Sequence, residues 1–284
     1  MSKILRIFPR KTNATPMDEM VRIGTGPELF DLDEIDEIHI SVTFTWDAPF
    51  GNYLFREWSG FYPKKTVLIG GPAYPDQKEG EFIPGRYLKP GYVITSRGCP
   101  NRCWFCDVWK KPGGDHISEL EVKDGYNILD SNLLACSEVH IRRVFHMLRE
   151  QRQPAQFTGG FEAARLERWH IGELLDTRFT NVFFAYDTPN DYEPLRDAAR
   201  ELFEAEIIGK GKKHKIKCYV LVGYPRDTFE KAEARLISVI KLGIMPMAML
   251  YRDLMGKVTE DWRGFQREWA SPIIVGYKMK RYAV

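Results

Sequence analysis

The sequence predicts a parallel α/β fold, and three observations predict it. From residue 92 to 251, strand-like runs alternate with amphipathic helical stretches. Runs such as "NVFFAYD" (181–187) and "IKCYVLVG" (216–223) are almost continuously apolar, as strands buried on both faces are. The chain of 284 residues, 44% of them apolar, suits one large core with an appendage.

Taken in order, "KILRIF" reads as a strand, "PMDEMVRI" as a helix, and "EIHISVTF" and "TVLIGG" as further strands. These make a small flavodoxin-like α/β layer over 1–88. "PGRYLKPG" (84–91) is a turn-rich connector and marks a boundary. Beyond it, "YVITS" (92–96) leads into a cysteine loop, and "YNILDSN" (126–132) precedes "SEVHIRRVFHMLREQ". In that stretch Val139, Val144, Phe145 and Leu148 share one helical face and Ser137 stands as N-cap. "AQFTG" (155–159) precedes a helix over 164–175, and "NVFFAYD" precedes "DYEPLRDAARELFEAEI". "IKCYVLVG" precedes "DTFEKAEARLISVIKLG", and "MPMAMLY" (245–251) closes a series of six strands. The segment 258–284 carries Trp262, Phe265 and Trp269 at the spacing of one helical face, a C-terminal helical cap.

The net charge of +2 offers no global attraction for nucleic acid, membrane or acidic partners. No run approaches the roughly 18 apolar residues of a membrane span, and the N-terminus lacks a cleavage signal, so a cytoplasmic protein is expected. In a reducing compartment clustered cysteines serve metal or redox chemistry more often than disulfides, and five is an odd number for a disulfide framework.

Three of the five fall in "TSRGCPNRCWFCDVW", where Cys99, Cys103 and Cys106 supply three soft ligands from one loop. Gly98 and Pro100 favour the turning backbone that lets them converge. A structural zinc site needs a fourth ligand, and His116 is the nearest candidate, across a Gly-Gly loop. Cys136 and Cys218 read as small buried hydrophobes. Three thiolates therefore point to a cluster with one iron open to something else.

The Cys-x3-Cys-x2-Cys loop after a strand resembles that of the radical S-adenosylmethionine (SAM) superfamily, over roughly residues 90–255. The resemblance implies a partial (β/α)6 TIM-like barrel over 89–257. It also implies a [4Fe–4S] cluster on Cys99, Cys103 and Cys106, with SAM chelating the fourth iron. Reductive cleavage of the sulfonium would yield a 5′-deoxyadenosyl radical that takes hydrogen from substrate. A flavodoxin- or ferredoxin-type electron donor is the implied partner. Phe105 matches the family's aromatic position beside the adenine.

Catalytic residues of parallel barrels collect at the carboxyl ends of the strands. That rule selects Asp130 and Asn132, where the family commonly has a Gly-Gly-Glu-like element for the methionine amino group and this chain has "LDSN"; strand-end capping is the alternative. It also selects Glu162 and Arg165 in "TGGFEAAR", with Gly159 and Gly160 permitting close backbone approach to the cofactor. Arg165 suits the SAM carboxylate or, equally, a helix surface. Asp187 fits the ribose-contacting position or a helix N-cap. Val222 and Gly223 resemble the adenine-contacting element of the fifth strand, and Arg252 is a cofactor or substrate contact after the sixth.

The basic run "GKGKKHKIK" (209–217) connects a helix to the next strand and so should emerge opposite the cluster, as a solvated turn. The N-terminal layer resembles a cobalamin-binding domain but lacks its Asp-x-His-x-x-Gly loop, since His39 sits within a strand pattern. A vestigial scaffold is the expectation, without cobalamin. Substrate is left open among small metabolites, nucleotides or bases in nucleic acid, and peptides. The rival reading is a noncatalytic iron–sulfur or zinc protein that binds nucleic acid through 209–217 and the tail.

Overall fold

The computed structural model describes residues 3–28, 35–74, 76, 80–209, 211–253 and 255–282. It is a mixed α/β structure with two parallel sheets. The first holds β1 (Ile4–Phe8), β2 (Val21–Ile23), β3 (Glu37–Ser41) and β4 (Thr66–Gly70) in the order β2-β1-β3-β4, all parallel. Leu5, Ile7, Ile38 and Ile40 alternate inward and meet Leu54 and Trp58 of α1 (Ala48–Phe61), one turn apart on one face.

The helix expected at "PMDEMVRI" is absent; the segment ends in β2 instead. Eight residues nucleate a helix poorly. Here Arg6 N–H donates to the Met20 carbonyl, and the Asp18 carboxylate takes both the Met20 amide and the Arg6 guanidinium. The helix of this layer is α1, in a stretch the sequence pattern left unassigned.

The connector at 84–91 is pinned rather than loose. Arg6 donates to the carbonyls of Gly85 and Arg86, and Lys89 N–H to that of Ala14. Beyond it lie β5 (Tyr92–Val93), β6 (Ser96–Arg97), β7 (Ser118–Glu119), β8 (Asn127–Ile128), β9 (Ala155–Phe161), β10 (Phe179–Tyr186), β11 (Ile216–Val222) and β12 (Met245–Leu250). Six of these form the second sheet in the order β12-β11-β10-β9-β8-β5, every neighbouring pair parallel. β6 and β7 form a short antiparallel pair after β5, at the two ends of the cysteine loop.

The crossovers carry α2 (Glu138–Glu150), α3 (Arg168–Leu175), α4 (Tyr192–Glu204) and α5 (Phe229–Lys241); α6 (Glu260–Ala270) and α7 (Pro272–Tyr282) follow β12. Ser137 caps α2 by accepting from His140 N–H at 3.2 Å. Val139 does not join the buried face of α2. It is 60% exposed, and Ile141 takes its place beside Val144, Phe145 and Leu148. Position 139 is the second residue of the helix and points off the stripe that 141, 144, 145 and 148 define. Trp262, Phe265 and Trp269 do share a face of α6, and Trp269, Val275 and Met279 are buried in the same core as the six-stranded sheet. Among the described residues no helix is long and apolar enough to cross a membrane.

Candidate functional site: the cysteine loop

Two glycines make the loop's path sterically legal. A side chain at Gly98, φ +83°, would stand 1.9 Å from the His116 carbonyl oxygen, and one at Gly114 would stand 2.0 Å from that of Val108. Backbone bonds then close the loop: Cys99 N–H to Gly114 O at 2.9 Å, and Cys106 N–H to Cys103 O at 3.1 Å. Trp109 Nε1 donates to Cys103 O at 2.9 Å.

Cys103 and Cys106 sense the thiols beside them. Burial pushes Cys103 up to about 11, and the neighbouring Cys106 and Cys99, then Asp191 and Asp187, push the same way. Cys106 is raised by burial and by Cys99, against a Val108 amide that donates to its sulfur at 3.5 Å. Ionising Cys103 and Cys106 without a cation is therefore unfavourable, and a bound metal centre would reverse that balance. His116 is exposed, with its Nδ1 3.2 Å from Asp115 Oδ1. Cys218 is fully buried in β11.

Among the described residues one group of three His, Cys, Asp or Glu donors lies within 4.8 Å of one another, and it is Asp130, Cys136 and His140 rather than the loop cysteines. Hydrogen bonds account for this group. Asp130 Oδ1 accepts from Thr95 N–H at 2.6 Å, and Oδ2 accepts from Thr95 Oγ1 at 2.6 Å and Ser96 Oγ at 2.7 Å. His140 Nε2 lies 3.3 Å from Thr95 Oγ1, and Cys136, pushed up to about 12 by burial, is bonded to Ser96. Burial also raises the Asp130 carboxyl, against the pull of Thr95 and Ser96. Both of its oxygens are committed to the strand that launches the loop, so Asp130 is a positioning residue and not a cofactor contact.

Asn132 behaves differently. Its Nδ2 donates to Glu162 Oε2 at 2.6 Å and lies 3.4 Å from Cys99 Sγ, while its Oδ1 is buried without a hydrogen-bond partner. Glu162 also takes Arg165 Nε at 2.6 Å and a bond from Asn101. Burial pulls its carboxyl up, but these three donors outweigh burial and leave it below the usual range. The structure thus brings Asn132, Glu162 and Arg165 together beside Cys99.

Asp187 follows β10, its Oδ1 accepting Leu221 N–H at 3.1 Å; burial, then Asp191, raises its carboxyl to about 7. Phe105 lies edge-on to Trp104, centroids 5.4 Å apart. Trp104 also meets Tyr224 at 5.9 Å and Tyr251 at 5.6 Å, residues that follow β11 and β12. Neither Trp104, Tyr224 nor Asn101 was singled out from sequence, although Trp104 sits inside the cysteine motif itself.

Two other expectations are corrected. A side chain at Gly159 would lie 2.2 Å from Asp130 O and 2.6 Å from Leu129 C, so the close approach there is to the neighbouring strand and not to a cofactor. Val222 is fully buried and accepts Tyr251 N–H at 2.9 Å, while Gly223, φ +74°, makes room for the Trp262 ring and Leu250. The Arg252 guanidinium, expected as a cofactor or substrate contact, lies 5.3 Å from the Trp46 ring centre in the N-terminal layer.

Compared with known proteins, the chain matches no family model and no curated protein.

Proposed function

We propose that this protein is a radical SAM enzyme, with Cys99, Cys103 and Cys106 holding a [4Fe–4S] cluster. The carrying observation is the convergence of three thiols on one loop: Cys106 and Cys99 bear on the ionisation of Cys103, and Cys99 on that of Cys106, with the loop closed by backbone bonds from Cys99 to Gly114 and from Cys106 to Cys103. Three thiolates leave one iron of a four-iron cluster open, where a structural zinc ion would take a fourth protein ligand.

When bound, the cluster would supply one electron to the sulfonium of SAM, releasing a 5′-deoxyadenosyl radical. The protein's own residues bind and orient. Asn132 Oδ1, a buried acceptor without a partner, and the ionised Glu162 present two acceptors beside Cys99 that suit the methionine ammonium. Arg165 holds Glu162 in place. Asp187 is assigned to the ribose hydroxyls and Phe105 to the adenine.

Fold order supports the same reading. Six parallel strands in chain sequence are the arrangement of a partial (β/α)6 barrel. At about 4.8 Å per strand, β5 and β12 would stand roughly 24 Å apart in a flat sheet. Trp104, beyond β5, nevertheless touches Tyr251, beyond β12, as a curled sheet allows. We assign 89–257 to the barrel, 1–88 to the scaffold layer and 258–284 to the cap. We place the enzyme in the cytoplasm, where free thiols persist, with a flavodoxin- or ferredoxin-type donor.

Nucleic-acid binding through the basic run is not favoured. It precedes the amino end of β11; Lys212 pairs with Glu206, and Lys215 and Lys217 lie over Phe179 and Phe183. The test is anaerobic reconstitution with iron and sulfide, followed by reductant and SAM. We expect about four irons per chain and release of 5′-deoxyadenosine, both lost in Cys103→Ala. A colourless protein that retains one zinc would overturn the proposal.

A further inference from the structure

We infer that the substrate is a phosphorylated nucleoside, its base stacked on Trp104 and its phosphate held by Arg252. The inference rests on the radical SAM reading for the place of the substrate, at the carboxyl ends of the strands.

The aromatic half of the site is exposed where burial is the norm. Trp104 stands between two of the cysteines, braced by Phe105, Tyr224 and Tyr251, and still leaves 51% of its surface in water. Every base has a π-face, so a braced and accessible indole is a stacking platform for any of them.

The cationic half is adjacent in the chain. Tyr251 meets Trp104, and the next residue, Arg252, lies over Trp46. Trp46 is itself stacked on Phe44 at 4.7 Å and 8°, and Phe44 carries Arg10 at 5.9 Å. Arg10 is neutralised by a two-bond pair with the buried Asp47, and Arg263 pairs with Glu260 at 3.2 Å. Arg252 has no such partner: among the described residues no carboxylate lies within ion-pair distance, and its one protein bond is a long 3.4 Å contact to Gly256 O.

Burial is the largest influence on this part-buried guanidinium, the nearby Arg10 and Arg263 act against its charge, and Asp47, which favours it, is already bonded to Arg10, so a bound anion would offset desolvation that the protein offsets only in part. Its planar fork suits phosphate oxygens. The ring platform meets Tyr251 and the phosphate fork is the next residue in the chain, and we assign the pair to the base and the phosphate of one nucleotide. A peptide or an uncharged metabolite would leave one half unused.

Tryptophan fluorescence titration of the full chain tests this with four probes: nucleoside 5′-monophosphates, the parent nucleosides, indole-3-acetate and a 5′-phosphorylated single-stranded decanucleotide. The monophosphates should bind at least 10-fold more tightly than nucleosides or indole-3-acetate, and only phosphate-bearing probes should weaken as salt rises. Arg252→Gln should erase the monophosphate advantage while nucleoside binding persists, which also shows that the variant is folded. Stronger binding of the decanucleotide assigns the phosphate to a nucleic-acid strand, and equal binding assigns it to a free nucleotide. Equal affinity for nucleosides and monophosphates, or for indole-3-acetate and monophosphates, overturns the inference. A preparation that cleaves SAM but binds no nucleotide sinks this inference alone, and one that binds nucleotide but assembles no cluster sinks the radical SAM reading alone.

Discussion

Asp130→Ala should loosen the base of the cysteine loop, and the cost can be worked from its bonds. The carboxylate satisfies three donors at 2.6, 2.6 and 2.7 Å. One is the Thr95 backbone N–H, which cannot turn to another partner, and leaving it buried and unpaired costs about 1–3 kcal/mol. The Thr95 and Ser96 hydroxyls can rotate, toward His140 and Cys136 respectively, so each loses about 1 kcal/mol. The sum is about 3–5 kcal/mol. For a chain of 284 residues that lowers the thermal midpoint by roughly 10 °C. Asp130→Asn keeps the acceptor for Thr95 N–H and removes the one shared by the hydroxyls, so it should lose about half as much. Calorimetry on the cluster-free protein separates folding from metal binding, and iron per chain after reconstitution reports whether the loop still assembles the site. If both variants melt within about 1 °C of wild type, Asp130 does not hold the loop and the positioning role is wrong.

The Asp187 carboxyl, raised to about 7 against an ordinary value of 3.8, binds a proton in the folded state that the unfolded chain releases. Its contribution is therefore fully present below about pH 4 and is lost as pH rises to about 7, a fall of up to about 4 kcal/mol. Asp187→Asn, which keeps an acceptor for Leu221 N–H, should flatten this slope in melts between pH 4.5 and 7.5; an unchanged slope would assign it elsewhere. Gly159→Ala places a methyl against immovable backbone of Leu129 and Asp130, and we expect a loss of several kcal/mol by urea denaturation, where an ordinary glycine replacement costs under about 1 kcal/mol. Arg235 lies in a buried pair with Asp227, which has no exposed surface, and also bonds Leu221 O. Arg235→Ala should cost about 3–5 kcal/mol, and simultaneous Asp227→Ala should recover part of it.

Much of this protein follows from local pattern. The near-continuous apolar runs mark β10 and β11 because strands buried on both faces have little polar side to show, and Ser137 and the Trp262–Phe265–Trp269 stripe follow from hydrogen-bond and helical spacing that tertiary context left undisturbed. The three-cysteine loop is equally legible, since the turn glycines and the thiols lie within a few residues of one another. Short segments were not: "PMDEMVRI" yields to the edge of β1, and β8 shrinks to Asn127–Ile128 so that Asp130 can turn inward. Which way a polar side chain points was decided by tertiary structure alone. Asp130 and Asn132 are two residues apart, yet one is consumed by the loop's base and the other keeps a vacant acceptor beside Cys99. Arg252 faces the N-terminal layer because Trp46, more than two hundred positions earlier, supplies the ring it lies over. Spacing encodes neighbours along the chain; the partners that assign these residues their work come from strands and loops that meet only after the sheets have formed.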